Sequence, residues 1–490
     1  MKRRERKYCL WLVLALACCH DLLAQFSGGE ELPSDTTPSW SFPAIDTTKQ
    51  NPAQALFTVR TIYILGNKRT RPDIILREIP FKSGEQYPLN ELVKKFEGAR
   101  KQLMNTALFH DVVVALKSFD GYNIDIIVDV KERWYIFPVP YFKPVDRNIN
   151  QWIIEQKASL SRVNYGAKLL YNNATGRNDK FRFWWINGYT KQLSFSYDRM
   201  YIDKKMKWGM NVAFAVGKNR EINYNTILNK QVFLKDESYV RNFLSTSMEL
   251  TYRRAIKTRH RFGLSFTKEE VSDTVLSLNP GYFNHGVKKV SFVDLYYIMS
   301  YFDVDYIPYP TKGYAAEVSL VKRGFKKENN LWGMNAKGTA LWPVSNKSFF
   351  SLSAFGGVKL PFKQPFYNRR MLGYSDVFLQ GYEYYVIDGV AAGYLKAMLT
   401  RKLFNFSIKT PALKKFASQR IPFSIYGKIY GNAGYVHNPD PGTNFLSNKM
   451  LYSGGFGIDI ITMYDFTLKL EFSFNQLGQN GLFFHRNSIF

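Results

Sequence analysis

The chain has 490 residues, a formal net charge of +27 and 16% aromatic residues, among them 32 Tyr and 39 Phe. A mean hydropathy of −0.27 excludes a bundle of membrane helices, but not a β-barrel, whose apolar band alternates with polar lumen residues and escapes an average. With 22% charged residues the chain is not disordered throughout.

The first residues read as a targeting signal. Lys2, Arg3, Arg4, Arg6 and Lys7 form a basic head, and Cys9 to Cys19 is an apolar run too short to span a bilayer as a helix. Leu22-Leu23-Ala24 offers a cleavage point, which makes 1–24 a signal peptide; acylation at Cys18 or Cys19 is a second way to read it. All three cysteines, Cys9, Cys18 and Cys19, fall in this signal, so the exported chain is expected to hold neither disulfide nor thiolate metal site. The basic residues elsewhere are scattered between aromatics. Scatter and export both argue against nucleic acid and leave two roles: contact with outer-membrane lipid and lipopolysaccharide, or solvation in loops and lumen.

Residues 25–56 are rich in Ser, Thr, Pro, Asp and Gly, the composition of a flexible tether. Residues 57–133 then read as a small mixed domain. Val59 to Leu65 is a strand that turns at Gly66-Asn67. Thr70 can cap a helix with Pro72 near its first position, Asp73 in its first turn and Ile74, Ile75 and Leu76 behind. A second helix follows Pro88, with Leu89, Leu92, Phe96, Ala99 and Leu103 on one face. Phe109 to Leu116 is a strand, Asp120-Gly121 a turn, and Asn123 to Val130 alternates through Ile124, Ile126, Val128 and Val130. The predicted order is strand, helix, helix, strand, strand, with a three-stranded sheet.

From 134 to 490 no helical period persists. Two-faced segments recur instead: Phe181 to Trp184, Leu193 to Tyr197, Val212 to Val216, Phe262 to Phe266, Val318 to Leu320 and, most regularly, Leu468 to Phe474. Turn clusters such as Asn172 to Gly176 divide them. At roughly 9–11 residues per membrane strand plus its connection, the stretch holds about 16 antiparallel strands, an even number as bacterial barrels require. A soluble β-sandwich is the competing fold, but it leaves so many aromatics outside one core, and the terminal Phe490, without a purpose.

Four stretches carry a resemblance to a known family. Asn105 to Phe109, with Val130-Lys131-Glu132-Arg133, resembles the end of a POTRA domain. Tyr309-Pro310-Thr311-Lys312-Gly313 is similar to the turn into a barrel strand of the BamA/TamA outer-membrane assembly factors, the bacterial surface antigen family. Leu379-Gln380-Gly381-Tyr382-Glu383 resembles that family's loop motif, and Gly455 to Asp459 with the strands at 467–475 and 481–490 resembles its ending. The resemblance implies a transmembrane β-barrel at 134–490 behind one POTRA domain at 57–133. It implies a loop folded into the lumen and held by a wall at Tyr430, Asn432 and Gly434. The family has an arginine where Gln380 stands and often an aspartate where Asn432 stands, so an amide–amide contact between Gln380 and Asn432 is expected in place of an ion pair. Packing of Tyr382 is the other way to hold the loop.

The same resemblance implies an outer-membrane location with the POTRA domain in the periplasm, and a role in inserting or assembling outer-membrane proteins. Unfolded barrels or a secreted client would be the partners, with possible accessory lipoproteins. A secretion pore, or a surface antigen or passive channel with polar loops at 217–238 and 269–289, are the alternatives. Pro138 and Pro140 lack an N–H and stand two apart; they sit either in the linker or on the first barrel strand, where with Phe490 they would form a weak seam. No cofactor or metal is expected. His20, His110, His260, His285, His437 and His485 are dispersed, Gly373-Tyr374-Ser375-Asp376-Val377 lacks the second glycine of a nucleophile elbow, and the chain does not read as an enzyme.

Overall fold

The computed structural model describes residues 55–144, 163–203, 205–326, 329–374, 377–409 and 420–485. The expected signal, almost all of the tether, and Phe490 lie outside the described residues.

The small domain runs β1 (Leu56–Leu65), α1 (Pro72–Glu78), β2 (Gln86–Pro88), α2 (Leu89–Asn105), β3 (Phe109–Asp120) and β4 (Asn123–Glu132). Its sheet has four strands in the order β2-β1-β4-β3, because the three residues of β2, which the sequence reading did not predict, add an edge beside β1. β1 and β4 are parallel. The alternation of β4 sends Ile124, Ile126, Val128 and Val130 to one face, where they bury against Ile74, Ile75, Leu92, Ala99 and Leu103 of the helices. Pro72 does open α1, but the N-cap residue is Arg71 and no side chain caps it. Thr70 is occupied elsewhere: its hydroxyl lies 3.2 Å from the Tyr135 hydroxyl and accepts from Asn173 Nδ2 at 3.0 Å.

The barrel begins with β5 (Ile136–Pro144), β6 (Val163–Asn172), β7 (Lys180–Gly188), β8 (Thr190–Tyr201) and β9 (Trp208–Asn219). The hairpin β10 (Glu221–Ile227) and β11 (Lys230–Lys235) intervenes before β12 (Arg241–Tyr252) and β13 (Thr258–Val271). Helix α3 (Asp273–Leu278) precedes β14 (Lys289–Val304), β15 (Gly313–Lys326), β16 (Asn329–Ser345) and β17 (Ser348–Leu360). After the short pair β18 (Arg370–Leu372) and β19 (Ile387–Asp388) come β20 (Ala391–Lys409), β21 (Arg420–His437), β22 (Met450–Ile461), β23 (Thr467–Asn475) and β24 (Asn480–His485). Sixteen of these strands form one antiparallel sheet running from β24 to β5.

The two-faced pattern works as the sequence suggests. On β14, Leu295 and Met299 are exposed outward while Asp294 and Ser300 are buried inward. On β23, Glu471 and Ser473 are buried and Phe474 is exposed. This is the alternation that a lipid-embedded wall with a polar interior requires.

The connections at one end of the barrel are short and carry the POTRA-like domain. Arg71 N–H donates to Gly176 O at 2.9 Å in the β6–β7 turn, Arg77 stacks over Tyr201 at 4.9 Å, and Ile307 N–H donates to Asn105 Oδ1 at 2.9 Å. Arg133 reaches Asp465 in the β22–β23 turn at 2.6 Å. The tightest clamp is Glu78, buried and held by both arms of Arg253 at 2.5 and 2.6 Å and by Arg77 at 2.9 Å. Burial pushes this carboxyl up, but the Arg253 fork and the nearby Arg77 outweigh it and hold it down at about 2.

At the opposite end the two stretches expected to be plain polar loops are folded. One is the β10–β11 hairpin, whose turn residues Leu228 and Asn229 both take positive φ (51° and 59°), as a two-residue hairpin turn demands. The other contains α3. Val240, Val271, Val275, Tyr282, Phe283 and Phe292 build a small apolar core there. The hairpin tip crosses to neighbouring loops: Val386 N–H donates to Asn229 O at 2.9 Å, and Leu446 N–H to Asn229 Oδ1 at 2.9 Å.

Candidate functional site

The connection between β17 and β20 does not stand away from the barrel. It packs on the inner face of β21 to β23, and small residues make room for it. On β21, Lys428, Tyr430, Asn432 and Gly434 face inward by alternation while Ile429 is exposed. A Cβ on Gly434 would come within 2.8 Å of Leu379 Cδ1, so the glycine is the seat for that buried leucine. Gly381 takes φ +90°, and a Cβ there would meet Ser453 at 2.9 Å; both backbone and space call for glycine. The motif is then tied down on every side. Asn475 Nδ2 donates to Gly381 O at 2.7 Å, Gly381 N–H to Glu383 Oε2 at 2.8 Å, and the Tyr382 hydroxyl to Tyr452 O at 3.0 Å.

The expected side-chain contact between Gln380 and Asn432 is not what forms. Gln380 Nε2 donates to Glu471 Oε1 on β23 at 2.8 Å. Asn432 Nδ2 donates to Ser453 Oγ at 3.1 Å and reaches only the main-chain oxygen of Gln380, at 3.5 Å. The physical reason is that a carboxylate within reach is a stronger acceptor for an amide than another amide. Both amide oxygens, Gln380 Oε1 and Asn432 Oδ1, are left buried without a partner among the described residues.

The charge that the motif lacks is supplied from the wall. Lys428, fully buried, lies 2.5 Å from Asp459 on β22 and 2.5 Å from Glu471. Asp459 also accepts from the Tyr309 hydroxyl at 2.9 Å, which ties in the Tyr309 to Gly313 turn. On the last strand, His485 Nε2 stands 3.3 Å from Glu471 and 3.2 Å from Glu383. Glu383, Glu471 and His485 converge closely enough to chelate a metal ion, but the Lys428 ammonium already occupies Glu471 Oε1. Sequence reasoning missed Lys428, Asp459, Glu471 and His485. The signal was present: Lys428 stands two residues before Tyr430 on the same face, and Glu471 sits in the most regular alternating strand.

The loop also touches the barrel's last strand. Phe378 stacks on His485 at 4.9 Å and Tyr384 meets Phe483 at 5.2 Å. β24 is one end of the sheet and β5 the other, and no ladder joins them among the described residues. Pro138 and Pro140 lie in β5, opposite Leu169 and Ala167 of β6, and not in a linker. Asn172 N–H donates to Tyr135 O at 2.8 Å, and 135 and 172 stand opposite in the same register. Antiparallel bonding alternates, so residues 137 and 139 exchange bonds with β6, and 136, 138 and 140 point their main-chain groups to the other edge. The two prolines therefore strip two donors from the free edge. Beside that edge Phe137 packs against Tyr464 at 5.5 Å, and a cleft of about 560 Å³ opens between the start of β5 and the β22–β23 turn.

The geometry is that of a small α+β domain clamped to a sixteen-stranded antiparallel barrel with a loop folded against its inner wall. Residues 57–133 match the POTRA family model, described as surface antigen variable number repeat. No curated protein matches the sequence. Among solved structures, CdiB from Escherichia coli is similar at 9% identity over 88% of this chain and 76% of that one, with a TM-score of 0.53. CdiB from Acinetobacter baumannii is similar at 11% identity over 89% and 74%, with a TM-score of 0.47. BamA from Haemophilus ducreyi lacking POTRA domains 1–3 is similar at 15% identity over 88% and 83%, with a TM-score of 0.47. By the family model residues 57–133 are a POTRA domain, and by structural likeness the chain shares the fold of the CdiB barrel.

Proposed function

We propose that this protein sits in the outer membrane with its POTRA domain in the periplasm and assists the insertion or assembly of outer-membrane proteins. The observation that carries this reading is the β5 edge. A closed barrel satisfies every backbone group inside lipid. An edge lacking the N–H groups of Pro138 and Pro140 forfeits two hydrogen bonds to whatever strand meets it, roughly 1–3 kcal/mol in all. Such a seam can part and offer its remaining donors and acceptors to an incoming strand. The POTRA sheet ends on β3, twelve residues long and paired only to β4 among the described residues. Its free side can receive an extended client by main-chain bonds regardless of sequence. The lumen loop, through His485 and Phe378, braces the other side of the seam. The partners would be unfolded barrel proteins, with lipid and lipopolysaccharide around the wall and no catalytic step.

Depletion of the protein followed by an outer-membrane proteome tests the reading. Broad loss of barrel proteins is expected. Loss of one secreted protein alone would make it a dedicated export pore, and an unchanged proteome would remove the assembly role.

A further inference from the structure

Between the POTRA domain and the barrel lies a cavity of about 400 Å³ whose lining is unusually cationic. Eight Lys or Arg residues border it, against three carboxylates, Glu78, Asp198 and Glu317. Those carboxylates are already taken: Glu78 by Arg77 and Arg253, Asp198 by Arg182 at 2.5 Å, and Glu317 by Arg261 at 3.2 Å. Lys180, Arg199, Lys207 and Arg259 are left with no carboxylate within ion-pair distance among the described residues. Three of them, Lys180, Arg199 and Arg259, stand close enough to repel one another.

This repulsion is built in, not incidental. Arg199 occupies the irregularity where the β8–β9 register shifts, between Tyr197 and Met200, with φ +63°. A left-handed backbone is unfavourable for an arginine, and bulges of this kind re-aim a side chain. The strained residue is fixed on both sides: its N–H donates to Asn211 Oδ1 at 2.7 Å, and its guanidinium to Asn178 Oδ1 at 2.8 Å. A fold that spends strain to crowd cations around one cavity is arranged for an anion that is not part of the chain.

We propose that this cavity binds a ligand carrying two or more phosphate groups. Arginine forks match phosphate oxygens two at a time, several phosphates match several unpartnered cations, and the volume suits a headgroup or a short polyphosphate. The phosphates can come from the diphosphorylated headgroup of lipopolysaccharide or from a soluble polyphosphate.

The test is calorimetric titration of the full-length protein in detergent with inorganic tripolyphosphate at low salt. Saturable binding is expected, weakened at least tenfold in R199N and in R259Q, and falling steeply with added salt. Asparagine tolerates the left-handed conformation, so R199N removes the charge without loading the backbone; an unchanged heat-induced mobility shift of the barrel verifies that each variant is folded. Displacement of tripolyphosphate by lipopolysaccharide assigns the headgroup as the source, and failure to displace assigns a soluble polyphosphate. No saturable binding, equal binding to the variants, or tighter binding of an oligo-glutamate peptide than of tripolyphosphate overturns the proposal.

Discussion

Replacing Lys428 with methionine tests whether the inner wall depends on a charge the loop motif does not carry. The ammonium is fully buried and sits 2.5 Å from each of two buried carboxylates. At an effective dielectric of about 20, each contact at that distance is worth roughly 7 kcal/mol of gross attraction. Desolvation of the three charges takes most of this back. Deleting the cation does not return the carboxylates to water, however, and leaves Asp459 and Glu471 facing each other. The expected cost is about 3–5 kcal/mol, the range for breaking a buried pair from one side. Methionine fills nearly the same volume, so little of that cost comes from a cavity. The assay is a urea titration of the protein refolded into lipid vesicles, followed by the heat-induced shift on a gel. K428M should unfold at distinctly lower urea than the parent, and K428M/D459N/E471Q, which removes all three charges, should recover much of the loss. If K428M unfolds with the parent, or the triple variant is worse than the single one, the buried charge does not hold the wall.

Four further outcomes are expected. The Glu78 carboxyl is held at about 2 against an ordinary 4.5, so POTRA docking draws stability from it at neutral pH and above about 4.5. That stability fades as pH falls through 4.5 toward 2. The shift corresponds to about 3 kcal/mol, and hydrogen exchange in α1 should rise over that window in the parent but already be raised at pH 7 in E78Q. P138V/P140V returns two donors to the β5 edge, which should raise the temperature of the gel shift while slowing assembly of client barrels in vesicles; a faster reaction would contradict the weak seam. G434V drives a side chain into Leu379 and should expose the loop to protease cleavage after Arg369 or Arg370. H485A cuts the last strand's contacts with Glu383 and Glu471, and should increase hydrogen exchange in β24 more than in β20; an equal rise in both would place the histidine outside the seam.

Much of this architecture was legible because period-two alternation is a strong signal when repeated many times. The stretch Leu468 to Phe474 reads as a strand from its side chains alone, and β23 runs Thr467–Asn475. The same signal fails for short or capped elements. β2 has three residues and owes its existence to pairing with β1, a tertiary fact no local pattern encodes. Thr70 looked like a helix cap because its residue type and the following proline fit. The barrel competes for the same hydroxyl through Tyr135 and Asn173, and tertiary hydrogen bonds won. The stretches 217–238 and 269–289 looked like open loops because a short hairpin and a six-residue helix, held by tertiary contacts with each other, the strand ends and neighbouring loops, have little periodicity of their own.

The lumen motif shows where a resemblance guides and where it misleads. It located the loop and its wall, since Leu379, Gly381 and Tyr382 still meet Gly434, Ser453 and Tyr452. It misassigned the polar partner because it followed two positions, 380 and 432, and asked what had become of their charges. The carboxylate that meets residue 380 stands two strands along, on β23. Lys428, Asp459 and Glu471 stand on three consecutive strands, one cation between two carboxylates, and that cation holds Glu471 in place under an uncharged glutamine. That arrangement predicts its own repair. Q380R would place a guanidinium beside Glu471. In the parent, Lys428 already balances one carboxylate, so the new cation should add only modestly to the urea midpoint. In K428M the same change should rescue strongly, because it supplies the one cation the wall then lacks. Equal effects of Q380R in both backgrounds would mean that Lys428 and residue 380 do not share Glu471, and that the hydrogen bond between Gln380 and Glu471 is incidental to how the loop is held.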